Sequence, residues 1–171
     1  MPLSQYAGLI NLRRIQCGAA VTSKKKSLQL AAELLQSAVP EPADDDDDED
    51  NEIDVFDALT GRERIGCTGM GHGIAIPHGR VDYIDQPLGA VLVLDEPVNY
   101  DAPDGEPVDV IFALLMPEHQ VDEHLNVLAD LARFFNEESN RQLIRNAGSA
   151  TEIFDILTHS GQASREGAAG A

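Results

Sequence analysis

The sequence predicts an α/β sandwich, with helices packed around a central sheet, and three observations carry that prediction. Residues 88–94 and 108–116 are near-continuous apolar runs bounded by turn residues, the pattern of strands buried on both faces. Leu28, Ala31, Ala32 and Leu35 recur at helical spacing after Ser23, as do Leu125, Leu128, Ala132 and Phe135 after Asp122. Ile74, Ala75 and Ile76 form a third, short apolar strand that runs into Pro77, His78 and Gly79.

Taken in order, the elements alternate. Residues 9–15 are short and alternating, and both a short helix and an edge strand remain open there. Ser23 is an N-cap candidate for the first amphipathic helix, which Pro40 and Pro42 stop. Ten of the chain's thirty acids lie between Glu41 and Asp54, a segment with no Lys or Arg, so 41–54 reads as a solvated acidic loop. The missing glycine and ligand spacing of a calcium loop argue against a cation sink. Ile53, Val55, Phe56 and Leu59 then mark one face of a short helix leading to Arg62. Another short helix covers 141–147, and Ser149 with Glu152 gives a capping-box opening to a last helix. The tail, 161–171, is small and polar and is expected to be disordered, leaving one domain over 1–160.

Composition excludes several functions. Thirty acidic residues against twelve basic give a net charge of −18, which argues against nucleic acid or an anionic membrane as partner. Without the acidic loop, twenty acids still face twelve bases, as suits a protein of a salty or crowded cytoplasm. No apolar stretch is long enough for membrane insertion, and the N-terminus lacks a secretory pattern, so a cytoplasmic location is expected. Cys17 and Cys67 have no metal-ligand or redox spacing and read as free thiols.

The chemistry concentrates in 67–80. Pro77 restricts its neighbour Ile76 to extended backbone, and Gly79 permits a sharp departure afterwards, which would hold His78 on an exposed corner. Gly69, Gly71 and Gly73 admit close approach of backbone or a partner group. An imidazole there suits a nucleophile or phosphoryl acceptor, since one nitrogen can attack while the other is held by a hydrogen bond. A turn histidine without chemistry is the alternative from spacing alone.

Gly73-Ile-Ala-Ile-Pro-His-Gly79 resembles the phosphohistidine motif of the fructose/mannitol-type enzyme IIA proteins of the bacterial phosphotransferase system, most closely their nitrogen-regulatory branch. The resemblance spans 9–157 and includes 60–69, 107–117 and the segment around His124. It implies a mixed sheet flanked by helices, with His78 as acceptor through its tele nitrogen. It implies that His124 orients or stabilises the phosphoryl group, and that Arg62 offsets its charge. Thr68 and the amides of the glycine-rich stretch are weaker phosphate candidates. No metal or organic cofactor is implied, and a zinc site built from His72, His78 and His124 is disfavoured because the resemblance accounts for the same histidines. The implied partners are an HPr-like phosphocarrier of the nitrogen branch and regulatory targets such as potassium transport or sensor proteins. Two rivals are a sugar-specific enzyme IIA that feeds a fructose- or mannitol-type enzyme IIB, and an unphosphorylated binding module. Two departures stand out: His72, where related proteins often carry asparagine or another polar residue, and the acidic insertion. His119 and His159 receive no role.

Overall fold

A computed structural model of the protein describes residues 8–39, 54–119 and 121–169, with the side chains of 121–125 and 160–169 outside the description. A mixed six-stranded sheet divides the molecule. A 3-10 turn, Leu12–Arg14, leads into β1, Ile15–Ala19, so both readings of the opening segment are realised in succession. α1 spans Lys24–Gln36 and α2 spans Val55–Ile65. Ser23 Oγ accepts from the Lys26 amide at 3.1 Å, and Asp54 Oδ1 accepts from the Asp57 amide at 2.7 Å, so each helix starts on a side-chain cap. The remainder of the expected acidic loop lies outside the described residues.

After α2 come the short strands β2, Gly69–Gly71, β3, Ile74–Ala75, and β4, His78–Val81, then the long strands β5, Leu88–Val98, and β6, Val108–Pro117. α3, Val121–Asn136, α4, Glu138–Asn146, and α5, Ala150–Ala169, complete the order. The helical backbone of α5 thus runs past Gly161, where the expected disordered tail begins. It propagates from a turn anchored by buried Ile153 and Leu157, through residues that include the good helix formers Ala163, Arg165 and Ala168.

β5 and β6 pair antiparallel at the centre, β1 lies parallel to β5, and both β3 and β4 lie parallel to β6. The two central strands are buried on both faces, as their unbroken apolar runs require. Alternation along β6 sends Ile111, Ala113 and Leu115 into a core with α1 and α2. Val110, Phe112, Leu114 and Met116 enter a second core that contains Val127, Leu131, Phe135, Ile144, Ile153 and Leu157 from α3, α4 and α5.

β3 and β4 form one interrupted strand. Ile74 and Ala75 face Val110 and Ile111, and His78 and Gly79 face Leu114 and Leu115, so register along β6 does not change across Pro77. Pro77 has no amide to donate, yet its carbonyl accepts from the Leu114 amide at 2.8 Å. The expected sharp corner at Gly79 is therefore absent. Gly79 has no left-handed φ and is glycine for another reason: a Cβ there would come within 2.8 Å of the Ala58 carbonyl carbon and oxygen on α2. The glycine lets α2 lie directly on the strand that begins with His78.

Candidate functional site

His78 opens β4 as a half-buried residue rather than on an exposed corner. Its Nδ1 lies 2.9 Å from the carbonyl oxygen of Ile76, a neighbour that can only accept. Nδ1 therefore carries the proton, and Nε2 keeps its lone pair for attack. The Pro77 step makes this geometry, since a residue without an amide separates the accepting carbonyl from the ring two positions later. By strand alternation from Gly79 and Val81, which face α1 and α2, His78 and Arg80 lie on the face covered by α3–α5.

Burial lowers the His78 pKa below its ordinary value. The bond to the Ile76 carbonyl works the other way, as does Glu63, while Arg62 and Arg80 both disfavour a protonated ring. The net result favours the neutral imidazole, the state a nucleophile for an anionic phosphoryl group requires.

The last turn of α2 supplies Arg62 and Glu63. Arg62 Nη1 donates to the Gly66 carbonyl at 3.0 Å, which leaves other donors of the fork for an anion. Glu63 faces inward. Its two oxygens accept from the Thr68 amide at 2.9 Å and the Thr68 hydroxyl at 2.5 Å, and Lys24 Nζ lies 2.9 Å from it. Burial alone would raise its pKa, but the bonds from Thr68 and the Lys24 charge outweigh that and hold the carboxyl below its usual range. Tyr100 completes the network, its hydroxyl 3.1 Å from Thr68 Oγ1 and its ring beneath Lys24 Nζ. Burial pushes the Tyr100 phenol up, so it stays protonated.

Thr68 is therefore a structural pivot, with its amide and hydroxyl committed to Glu63, and this weakens the reading of it as a phosphate donor. Its carbonyl accepts from the Ile76 amide at 3.0 Å, which ties the chain leaving α2 to the residue whose own carbonyl orients His78. Glu63, Lys24, Tyr100 and Arg80 were not singled out in the sequence. The signals for them were thin: Glu63 follows Arg62, and three lysines occupy the first turn of α1, where the helix dipole disfavours positive charge.

His72 lies elsewhere. It occupies the β2–β3 turn at φ 58°, with its amide donating to Asp104 Oδ2 at 3.0 Å and its carbonyl accepting from Arg145. His78 lies four strand residues beyond Ile74, about 13 Å along the strand. No perturbation of His78 by His72 follows, and the two cannot share a zinc ion. Among the described residues no group of three His, Cys, Asp or Glu could hold a metal. His124 belongs to the first turns of α3, which starts four residues after β6 ends at Pro117, itself paired with Val81 of β4. Its helix thus begins at the end of the sheet toward which β4 runs, on the face assigned to His78. The side chain of His124 lies outside the description.

This arrangement can present a neutral, oriented Nε2 to an electrophilic phosphorus, with guanidinium groups to offset the charge of the transferred group. Residues 9–160 match the model of the family described as phosphoenolpyruvate-dependent sugar phosphotransferase system, EIIA 2, and the chain belongs to that family. Its relatives there include nitrogen regulatory proteins. It is 40% identical to the nitrogen regulatory protein of Pseudomonas aeruginosa over 135 residues, 79% of this chain and 82% of the relative. It is 34% identical over 108 residues to a fructose-specific EIIA component of Haloferax volcanii, covering 63% of this chain and 70% of that one. The crystal structure of nitrogen regulatory protein IIA-Ntr from Neisseria meningitidis superposes with a TM-score of 0.77 at 41% identity, covering 88% of this chain and 97% of the other. IIA mannitol from Escherichia coli shares the fold, with a TM-score of 0.67 at 20% identity over 86% of this chain and 98% of the other. Among the described residues no helix is long and apolar enough to cross a membrane.

Proposed function

We propose that the protein accepts a phosphoryl group on Nε2 of His78 from an HPr-like phosphocarrier of the nitrogen branch, and that phosphorylation changes which regulatory targets it binds. The observation that carries this reading is the Nδ1 contact with the Ile76 carbonyl at 2.9 Å, which leaves Nε2 as the attacking nitrogen. In the transfer, the donor's nitrogen–phosphorus bond breaks with its electron pair returning to the donor ring, and the Nε2 lone pair forms the new bond. The His78 ring then carries positive charge, which the hydrogen bond donated by its Nδ1–H to the Ile76 oxygen stabilises. Arg62 and Arg80 offset the phosphoryl oxygens, and His124 orients them from α3. Metal is not required, because transfer between two imidazoles depends on positioning and charge stabilisation. The added phosphate brings nearly two negative charges and so changes the surface that a target meets.

Incubation with phosphoenolpyruvate and the purified carriers should add one phosphate, mapped to His78 and lost in His78→Ala. No mass gain would leave a pure binding module as the function. The Haloferax volcanii relative named as a fructose-specific EIIA component supports a second reading, a sugar-specific protein that hands its phosphate to an enzyme IIB. Rapid dephosphorylation by a fructose-type enzyme IIB, with no effect of phosphorylation on target binding, would favour it.

A further inference from the structure

We propose that the cleft between α4 and the β2–β3 turn binds a free α-amino acid, its carboxylate on Arg141 and its ammonium toward Glu106 and Glu138. The proposal does not depend on which residue accepts phosphate. The cleft holds about 440 Å³, within the roughly 300–1,000 Å³ of small-ligand pockets, and the β5–β6 connection supplies its third wall. Arg141 lines it yet is only 8% exposed. A buried charge is ordinarily paired, because it loses more on leaving water than a neutral group does. Arg141 Nη1 donates to the Phe135 carbonyl in the last turn of α3, at 2.7 Å, and no carboxylate among the described residues pairs with the guanidinium. The rest of its fork is left for an anion, and a carboxylate accepts two parallel N–H bonds from such a fork.

The other guanidinium of the cleft is already engaged. Arg145 Nε lies 2.9 Å from Asp109 Oδ2, and Arg145 also donates to the His72 carbonyl. Asp104 is engaged too, its oxygens accepting from the amides of His72 and Glu106 at 3.0 and 3.1 Å. Glu106 and Glu138 remain, exposed carboxylates that line the cleft and pair with no cation among the described residues. The cleft thus has one unpaired positive group within it and two unpaired negative groups at its surface. An inorganic anion or a dicarboxylate suits the first and is repelled by the second, whereas a simple cation does the reverse. An α-amino acid carries both ends and satisfies both. Pro97 and Pro107 add apolar surface against which its side chain can lie.

The test titrates the full chain with a panel of standard amino acids by isothermal calorimetry, each to about 10 mM, a range that reaches millimolar binding. At least one should bind saturably, and its deaminated acid, its decarboxylated amine and inorganic phosphate should each bind about 10-fold more weakly or worse. Arg141→Lys should weaken the amino acid about 10-fold or more, since it keeps the charge and loses the fork. Glu106→Gln/Glu138→Gln changes only exposed groups, so it tests the ammonium end in a folded chain even if Arg141→Lys does not fold. That double variant should bind the amino acid about as weakly as wild type binds the deaminated acid. Absence of saturable binding by every amino acid would overturn the proposal. Equal affinity for the amino acid and its deaminated acid would make the cleft a plain anion site and overturn it as well. So would amino-acid binding that the double variant leaves unchanged, which would place the ligand elsewhere.

Discussion

Ala58 of α2 lies so close over Gly79 of β4 that a Cβ on residue 79 would sit 2.8 Å from the Ala58 carbonyl. The contact sets the distance between the helix that carries Arg62 and the strand that begins with His78. Gly79→Ala must push α2 outward, because backbone cannot yield as a flexible side chain can. We expect a loss of about 1–3 kcal/mol of stability by chemical denaturation, together with slower phosphorylation of His78. An unchanged stability would show that the helix is free to shift.

The tautomer at His78 predicts where phosphate appears. With Nδ1 donating to Ile76, the product should be the tele isomer, identifiable by phosphorus-31 NMR of the labelled chain. His124, on α3, should act on the same group without accepting it. His124→Ala should still label His78 but slow transfer by roughly 10- to 1000-fold, about 1 to 4 kcal/mol of transition-state stabilisation. Label on His124 would reverse the two roles.

Acid sensitivity should separate into two windows. His78 has a lowered pKa in the fold, chiefly through burial, so the unfolded chain takes up its proton first. The stability this gives is complete above the ordinary value of 6.5 and is lost as pH falls below it toward the folded value. Glu63 is also held low, against burial, by Thr68 and Lys24, and its contribution is complete above the ordinary value of 4.5 and lost as pH falls through its folded value. Denaturation midpoints across pH should therefore lose the upper limb in His78→Ala and the lower limb in Glu63→Gln. For the same reason, phosphoramidate labelling should persist to a lower pH than an ordinary histidine allows. Labelling that halves at pH 6.5 or above would contradict the burial of the ring.

Periodicity made the helices and long strands legible, because α1, β5, β6 and α3 bury faces whose spacing is local to each segment. The motif singled out His78, Arg62 and His124 as the candidate site, but the network packed around Glu63 was not legible. Glu63 and Thr68 lie five residues apart, but Lys24 and Tyr100 come from two other segments, and only tertiary packing brings them within reach of that pair. Gly79 was misread for a related reason. A glycine after a proline suggests a turn, whereas here the demand for it comes from Ala58, some twenty residues earlier in the chain.

His72 offers a check on the reading of that position as a tolerated substitute. The β2–β3 connection places His72 at φ 58° and Gly73 at φ 81°, a two-residue turn with both residues left-handed. Asparagine favours the first position of such turns, and a histidine pays strain for it. The bonds described at residue 72 use its amide, to Asp104, and its carbonyl, from Arg145, so they survive a change of side chain. His72→Asn should therefore raise stability by about 0.5–1 kcal/mol. Labelling of His78 should stay at the wild-type rate, since about 13 Å of strand separates Ile74, beside the turn, from His78. A variant that is less stable, or that labels more slowly, would mean that the His72 imidazole does work at the turn or at the site beyond occupying the position.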